Sequence, residues 1–591
     1  MPRRTSRSLP KSSEPSKRPR MALADAKSLP LRHRGNGQPV WLLPALVVVV
    51  GLICGLPLLR LAFRASEAVF AGEGGSVFLD PMTWRATRNT LIVSIVGTVI
   101  SIVLGALFAI PVALTDIRGR AALALAFMLP MMIPPQITAL AWVQMTGPSS
   151  ALLNAIALAP PLGSPQPLYS RGGIALLIGV QNAPLVFLSM MAGLTAVPRD
   201  LVEAARLAGA RQREVLASIA LPLALPGLVA GAALAFVSGV GNFGIPAILG
   251  LPSSILTLPT LIYVRLASFG TGTLGDMALL SGLVAALAIF GIWVQTRAMR
   301  GRSLRTVGHA GRPVRFELGA GKLPVQLLLW FVLFFILVAP FLALVSTSLL
   351  PTYGVRLTLE TASLAAYRAV LFTQSMTVSA FTNSFLLAGL AAFGLLLVTL
   401  PLGWYLARGR SRLSGLLAST IEVPYALPGI VVAVACILLF AAPLPVIGVS
   451  LYGTLWIILF AYLASFMAVS LKPVAAAFSQ IDPALEEAAR LTGAGFVRRM
   501  TTITLPLAAP AAGAAVILVF LIAVNELTIS ALLWSAGTQT LGVAVFNLDD
   551  SGEATLAAAL SVIIVIMVLA LMLALDRLAA RLPKGVVPWR V

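Results

Sequence analysis

Charge is scarce in this chain of 591 residues, and two stretches that use it read almost alike: EAARLAGARQREVLASIALPLALP, Glu203–Pro226, and EAARLTGAGFVRRMTTITLPLAAP, Glu487–Pro510. Carboxylates and guanidinium groups could do acid–base or phosphate chemistry, so the missing companions matter. Neither stretch sets a nucleophile beside a base and an orienting group. The two histidines, His33 and His309, lie in basic segments, and Cys54 and Cys436 lie inside apolar runs. No Cys/His metal cluster or disulfide framework is expected from them. The nearest string to the phosphate-binding pattern G-x-x-x-x-G-K-[ST] is GAGKL, Gly319–Leu323, without the first glycine or the hydroxyl. The expected chemistry is therefore contact with another protein.

Local physics gives both stretches the same shape. Glu203-Ala-Ala and Glu487-Ala-Ala open runs of strong helix formers, with the acid near the positive helix start. Asp482-Pro483 adds an N-cap followed by proline at the first helical position. Gly209 and Gly493 stand six residues after the glutamates, where a helix can end and turn. A second short helix follows, with Arg211 and Arg213 or Arg498 and Arg499. Ile219-x-Leu221-Pro222 and Ile503-x-Leu505-Pro506 then lead into an apolar segment whose first turn tolerates proline. The expectation is a rigid pair of short helices with small alanine surfaces, at Ala204 and Ala205 or Ala488 and Ala489. The plainer alternative is a re-entry structure that orients the next helix.

The elements that carry these stretches are helices in lipid. The chain is 59% hydrophobic and 11% charged, where soluble proteins carry about 25% charged residues. Apolar runs long enough to cross about 30 Å of hydrocarbon recur throughout, and only helices satisfy their backbones there. Twelve spans are predicted, near 40–63, 89–115, 121–145, 173–195, 224–250, 275–297, 324–350, 381–407, 415–440, 451–471, 505–535 and 554–576. With the N-terminus in the cytoplasm, 34 of the 42 Lys and Arg fall on the cytoplasmic side, as the positive-inside rule requires. Both termini then lie inside, and the net charge of +21 is mostly topological, with some attraction to anionic lipid of the bilayer and no nucleic-acid partner implied. Residues 1–39 read as a basic disordered tail, 298–323 as a basic linker and 578–591 as a second tail.

Six spans precede the linker and six follow. Val197–Pro226 aligns without gaps on Ile481–Pro510, with 14 of 30 positions identical, against roughly three by chance. Asn89, Pro130 and Pro134 likewise match Asn383, Pro424 and Pro428 at a spacing of 294. The fold expected is an all-α polytopic membrane protein of about twelve transmembrane helices. It consists of two parallel six-helix repeats, residues 40–297 and 324–577.

The pattern EAA-x3-G-x9-I-x-LP is matched by Glu203, Ala204, Ala205, Gly209, Ile219, Leu221 and Pro222, and again by Glu487, Ala488, Ala489, Gly493, Ile503, Leu505 and Pro506. It resembles the signature loop of inner-membrane permease subunits of ABC importers. Two such modules in one chain, with GNFGIPAILG (Gly241–Gly250) and NELTISALLWSAGTQTLGVAVF (Asn525–Phe546), are similar to the fused ferric-iron type permeases, over most of residues 40–577. The resemblance implies a type I-like permease of the bacterial inner membrane. Its two loops would dock on a cytoplasmic ATPase, present in two copies, and a periplasmic binding protein would deliver the solute. Ferric iron comes first, then thiamine, polyamine, phosphonate or sulfate. ATP would be used by the partner, and this chain would bind no cofactor and hold no metal of its own.

Candidate pathway residues follow from interrupted and polar spans. LPMMIPPQ (Leu129–Gln136) and VPYALPG (Val423–Gly429) place Pro130, Pro134, Pro424 and Pro428 inside corresponding spans, where kinks free carbonyls toward a water path or serve packing alone. Asn525 and Glu526 lie within the predicted eleventh span, and Asn242 is the first-half counterpart of Glu526. A carboxylate there lines a pathway or satisfies a helix contact. Glu422 is read as an interfacial charge, and Asp549, Asp550 and Glu553 as outer-loop acids that either greet a cation or, the plainer reading, are solvated loop charge. An ion-coupled secondary transporter is the competing class; it calls for several deep carboxylates or histidines, where one carboxylate is evident.

Overall fold

The structure, a computed structural model, describes residues 41–579 apart from 73, 162, 196, 269–272, 301–314, 410–411 and 444–447. The tail at 1–39, His33, His309, the middle of the 298–323 linker and most of the 578–591 tail lie outside the described residues. Among the described residues the chain is helical throughout, with one isolated bridge, Thr115 to Phe316.

Among the described residues ten helices are long and apolar enough to cross a membrane, and two bent pairs, each counted as one span, make twelve. The first module runs through Leu42–Phe70, Pro81–Leu114, the pair Arg120–Met132 and Pro135–Ala155, then Arg171–Thr195, Gln212–Gly241 and Thr273–Met299. The second runs through Gly319–Ser348, Ser375–Arg408, the pair Arg412–Ala426 and Gly429–Phe440, then Leu455–Gln480, Phe496–Val524 and Ala554–Ala574. The bent pairs turn by 100° and 107°. Pro130 and Pro424 stay inside their helices. The breaks come at Pro134 and Pro428, each the N-cap of the following helix.

Packing shows that each bent pair still crosses once. Gly97 lies on Ala175 and Ile178, and Gly105 on Val186 and Phe187, so the second and fourth spans run parallel. Thr399 meets Ser470 at 3.0 Å, and Gly403 lies on Val474 and Phe478, so the eighth and tenth spans do likewise. Parallel neighbours require the segment between them to return the chain across. Added Cβ atoms at Gly97 and Gly105 would stand 2.8 Å from Ile178 and Val186, the close approach that small residues allow in lipid.

The repeat is visible in hydrogen bonds. The Asn89 amide donates to the Leu256 carbonyl at 2.8 Å, and Thr90 accepts from the Leu258 N–H at 2.8 Å. In the second module Asn383 donates to the Gln539 carbonyl at 3.0 Å, and Ser384 accepts from Leu541 at 2.8 Å. The first span of each module packs on the other module. Cys54 approaches Met467 at 3.6 Å, and Thr347 donates to Gln144 at 3.1 Å.

Two sequence expectations are corrected. The segments after the polar stretches do not begin at Pro222 and Pro506. The helix starts earlier and passes through a wide π turn, Leu216–Ala220 or Met500–Thr504. Proline has no N–H and its ring strikes the carbonyl four residues back, so a wider turn placed just before it relieves the conflict. Pro57 and Pro340 follow the π turns Gly51–Gly55 and Phe334–Val338 in the same way. The spans expected at 224–250 and 505–535 end at Gly241 and Val524, and short helices Gly244–Gly250 and Ser530–Leu533 follow.

Candidate functional site

Both polar stretches lie on one face of the molecule. The Phe316 N–H, ahead of the seventh span, donates to Leu114 at the end of the second span at 2.7 Å, and the Arg206 guanidinium stands 5.0 Å from the Phe316 ring. The seventh and eighth spans cross and return. At the end of the eighth, Arg408 pairs at 3.1 Å with Glu486, the residue just before the second stretch.

Each stretch builds the same small structure. Helices Arg199–Leu207 and Pro483–Leu491 are followed by Gly209 at φ +87° and Gly493 at φ +81°. The N–H of Ala210 bonds the Ala205 carbonyl and that of Ala494 the Ala489 carbonyl, at 3.0 and 3.1 Å. This closure caps the helix, and glycine is needed because other residues strain at positive φ. Asp482 caps its helix by accepting from the Ala484 N–H at 2.9 Å. Glu203 bonds Arg199 at 2.5 Å, but both side chains are more than half exposed, so the pair contributes little.

The outward faces carry matched apolar residues. Leu207 is 90% exposed and Leu491 89%; Leu201 is 47% exposed and Leu485 48%. Ala204 and Ala488 are exposed beside them. Burying one such leucine would contribute about 1.5–3 kcal/mol, and the two stretches present the same pair of leucines outward. Ile219, Leu221, Ile503 and Leu505 sit in the helices behind it.

The interior site differs from expectation. Glu526 directs its carboxylate at the start of a short helix, accepting from the Ile529 N–H at 2.7 Å and the Ser530 N–H at 3.1 Å. Asn242 accepts from the Ile245 N–H at 3.1 Å, the corresponding bond in the first module. Both residues therefore cap the break that follows the fifth or eleventh span. Asn525 donates to the Leu521 carbonyl at 2.9 Å. Glu526→Gln keeps a carbonyl acceptor and should insert normally. Glu526→Leu leaves two buried N–H groups unpaired, at about 1–3 kcal/mol each, and should lower the thermal midpoint in detergent. Uptake by the Gln variant equal to that of the parent assigns the residue to capping alone.

The modules meet where the helices break. A Cβ on Gly241 would lie 2.5 Å from Pro428, and one on Gly429 3.2 Å from Ile529. Gln136, which the sequence reading passed over, is fully buried between Gly244 of its own module and Gly542 of the other, and neither head atom has a partner among the described residues. Its place after Pro134-Pro135 was the available signal. Phe243, Tyr263 and Phe546 close together nearby, with centroids 5.2–6.0 Å apart.

Glu422 pairs with Lys472 at 3.2 Å, with Tyr425 under the ammonium at 4.2 Å. Asp549 is not a solvated loop acid. It sits in the last turn of helix Leu541–Asp550, where burial first and the Asp550 carboxylate second push it up to about 6. A carboxyl raised from 3.8 to about 6 favours the folded state at low pH and loses that contribution as pH rises through 6. Thermal midpoints should fall between pH 5 and pH 7, and Asp549→Asn should remove that part of the dependence. In GAGKL, Gly319–Gly321 form a 3-10 turn and Lys322 pairs with Asp116 at 2.8 Å. Among the described residues no three His, Cys, Asp or Glu side chains converge as metal ligands.

Comparison with known proteins bears on this geometry. A family model described as "Binding-protein-dependent transport system inner membrane component" matches the chain twice, over residues 105–303 and 399–587. The chain is 28% identical to a probable ABC transporter permease protein, y4fN, of Sinorhizobium fredii, over 85% of this chain and 87% of that protein. It is 25% identical to the Fe(3+)-transport system permease protein FbpB 2 of Haemophilus influenzae, over 88% and 94%. A putative 2-aminoethylphosphonate transport system permease protein, PhnV, of Salmonella paratyphi A is 32% identical over 28% of this chain and 61% of its own length.

Proposed function

We propose, for a chain that belongs to the family of binding-protein-dependent transport inner membrane components and is a fused two-module ABC importer permease, that ferric iron is the solute. We further assign the two polar loops as the sites where ATPase subunits push. The observation that carries the loop assignment is the paired exposure of Leu207 and Leu491 on capped helices that share one face. That face is assigned to the cytoplasm, with both termini, because basic residues concentrate there. ATP is bound and hydrolysed on the partner, in two copies, one per loop. This chain supplies no nucleotide site and no cofactor, and recognition of the ferric ion belongs to a periplasmic binding protein.

The modules are taken as residues 40–297 and 324–577. A push on Glu203–Gly209 passes through the glycine turn into the fifth span, whose helix is continuous from Gln212 to Gly241. The second loop drives the eleventh span in the same way. Both spans end at the central contact, where Gly241 meets Pro428 and Gln136 meets Gly542. Alternating access follows if loop motion opens that contact to one side at a time. Pro134, Pro428, Asn242, Asn525 and Glu526 then shape the pathway by fixing the helix breaks, and Pro130 and Pro424 by fixing the approach to them.

The ferric assignment draws on the full-length relative named for Fe(3+) transport. Phosphonate is the second reading, from a relative covering a smaller share of the chain. The test is reconstitution in proteoliposomes with the ATPase, adding binding proteins loaded with ferric iron or with 2-aminoethylphosphonate. Stimulated ATP hydrolysis and uptake with the ferric protein are expected. Stimulation by the phosphonate protein alone would overturn the solute and leave the machine intact.

A further inference from the structure

The two loops are held in place by different means. In the second module the anchor is polar and internal to the module. Arg408 binds Glu486 at 3.1 Å and the Ile481 carbonyl at 3.0 Å, the Trp404 indole N–H donates to Glu486 at 3.2 Å, and Trp404 packs edge-on to Phe496 at 5.1 Å. At the corresponding positions the first module has Leu114 for Arg408, Val202 for Glu486, Ile110 for Trp404 and Gln212 for Phe496. Leu114 and Val202 are buried in one apolar cluster.

The first loop gains its anchor from the far end of the linker. Residues 298–323 read as a loose basic connection, yet the part from 315 onward is fastened. Phe316 is 6% exposed and packs in the cluster that holds Val202 and Val215 of the loop. Its N–H bonds Leu114 at 2.7 Å, and Arg206 of the loop lies over its ring at 5.0 Å. Asp116 accepts from the Leu318 N–H at 3.2 Å and from the Lys322 ammonium at 2.8 Å. Those two bonds, that of Lys322 first, hold the Asp116 carboxyl below its usual range. Lys322 stands at the foot of the seventh span, the first of the second module.

We propose that residues 315–322 are a strap that seats the first coupling loop against the foot of the second module, with Phe316 as the positioning residue. The proposal rests on the reading of the loops as ATPase contacts. A push on Arg199–Leu207 then travels by two routes, into the fifth span of its own module and through Arg206 and Phe316 to the seventh span. The seventh span in turn touches the third span of the first module through Thr347 and Gln144. Among the described residues, the bonds that seat the second loop, from Arg408 and Trp404, come from its own module. The loops are alike in outward face and unlike in seating, so loss of the strap should affect one of them.

The experiment uses the full chain reconstituted with its ATPase, carrying Leu207→Cys or Leu491→Cys as cross-linking handles, with and without Phe316→Ala. Removing the ring takes away its burial and the cation–π contact, so cross-linking at position 207 should fall about ten-fold while that at 491 stays within two-fold. ATP hydrolysed per solute imported should rise, and Phe316→Tyr should restore both values. Equal cross-linking at both positions in Phe316→Ala overturns the strap, as does an equal fall at both. If Phe316→Ala does not insert, Lys322→Gln is read in the same way, with a smaller selective loss at 207 expected and an unchanged yield contradicting the proposal. Gly493→Trp serves as the control for the underlying reading. If it too leaves ATPase contact intact, the loop assignment fails; if it abolishes contact at 491 while Phe316→Ala is silent, only the strap fails.

Discussion

Gly209→Trp combined with Gly493→Trp is expected to leave the protein in the membrane and to abolish ATP-driven uptake. A Cβ at either glycine meets nothing within 4 Å in this chain, so the indole has room in the free permease. Two penalties remain. Each glycine sits at positive φ, +87° and +81°, where another residue strains the cap. The larger penalty arises when a partner must lie against Leu207 and Leu491, because the ring then fills the contact. Loss of one central contact typically costs about 2 kcal/mol or more, so two such lesions should weaken ATPase binding at least a hundred-fold. Co-purification of the ATPase with the tagged permease measures this, with insertion checked by membrane fractionation. Normal recovery of the ATPase would remove the loops from the coupling machinery.

Gly241→Leu should produce the opposite fault, a permease that leaks. The Cβ alone would stand 2.5 Å from Pro428 Cβ and 3.2 Å from its Cα, at the break in the ninth span. A proline ring fixed at a helix start cannot rotate away, so the modules must separate there. Overpacking of this kind typically costs about 1–3 kcal/mol, which shifts a closed-to-open ratio by about five- to 150-fold. Solute entry into proteoliposomes without ATP is the readout. A tight membrane with normal ATP-driven uptake would show that the Gly241–Pro428 contact does not seal the path.

The loops were legible in sequence because their information is local. Helix, glycine cap and arginine pair lie within about twenty residues, and spacing alone requires the turn at Gly209 and Gly493. The internal repeat was legible for the same reason: Asn89 and Asn383 recur because each pins the loop that follows its fifth or eleventh span. Glu526 was harder. Its role depends on the helix ending at Val524, and LIAVNELTIS is apolar enough to read as an unbroken span. Once the break is in view, the carboxylate is a helix cap, matched by Asn242 in the other module.

Long-range pairings were not legible. The exchange of first spans between modules leaves no mark, since an apolar helix can present similar residues to lipid and to a neighbouring helix. Gln136 shows its polarity in the sequence but not that Gly244 and Gly542 enclose it. Phe316 is one aromatic residue in a basic stretch. Its partners, Leu114 and Arg206, lie more than a hundred residues earlier.

On the proposed function, two matched loops on the cytoplasmic face receive force from a nucleotide-hydrolysing partner. Leu207→Cys and Leu491→Cys test it directly, since native Cys54 and Cys436 are buried and leave the new thiols as the accessible targets. In oriented membranes both should react with an impermeant maleimide only from the cytoplasmic side, and both should be protected when the ATPase is bound. Labelling of either from the periplasmic side, or full reactivity with the ATPase in place, would contradict the account.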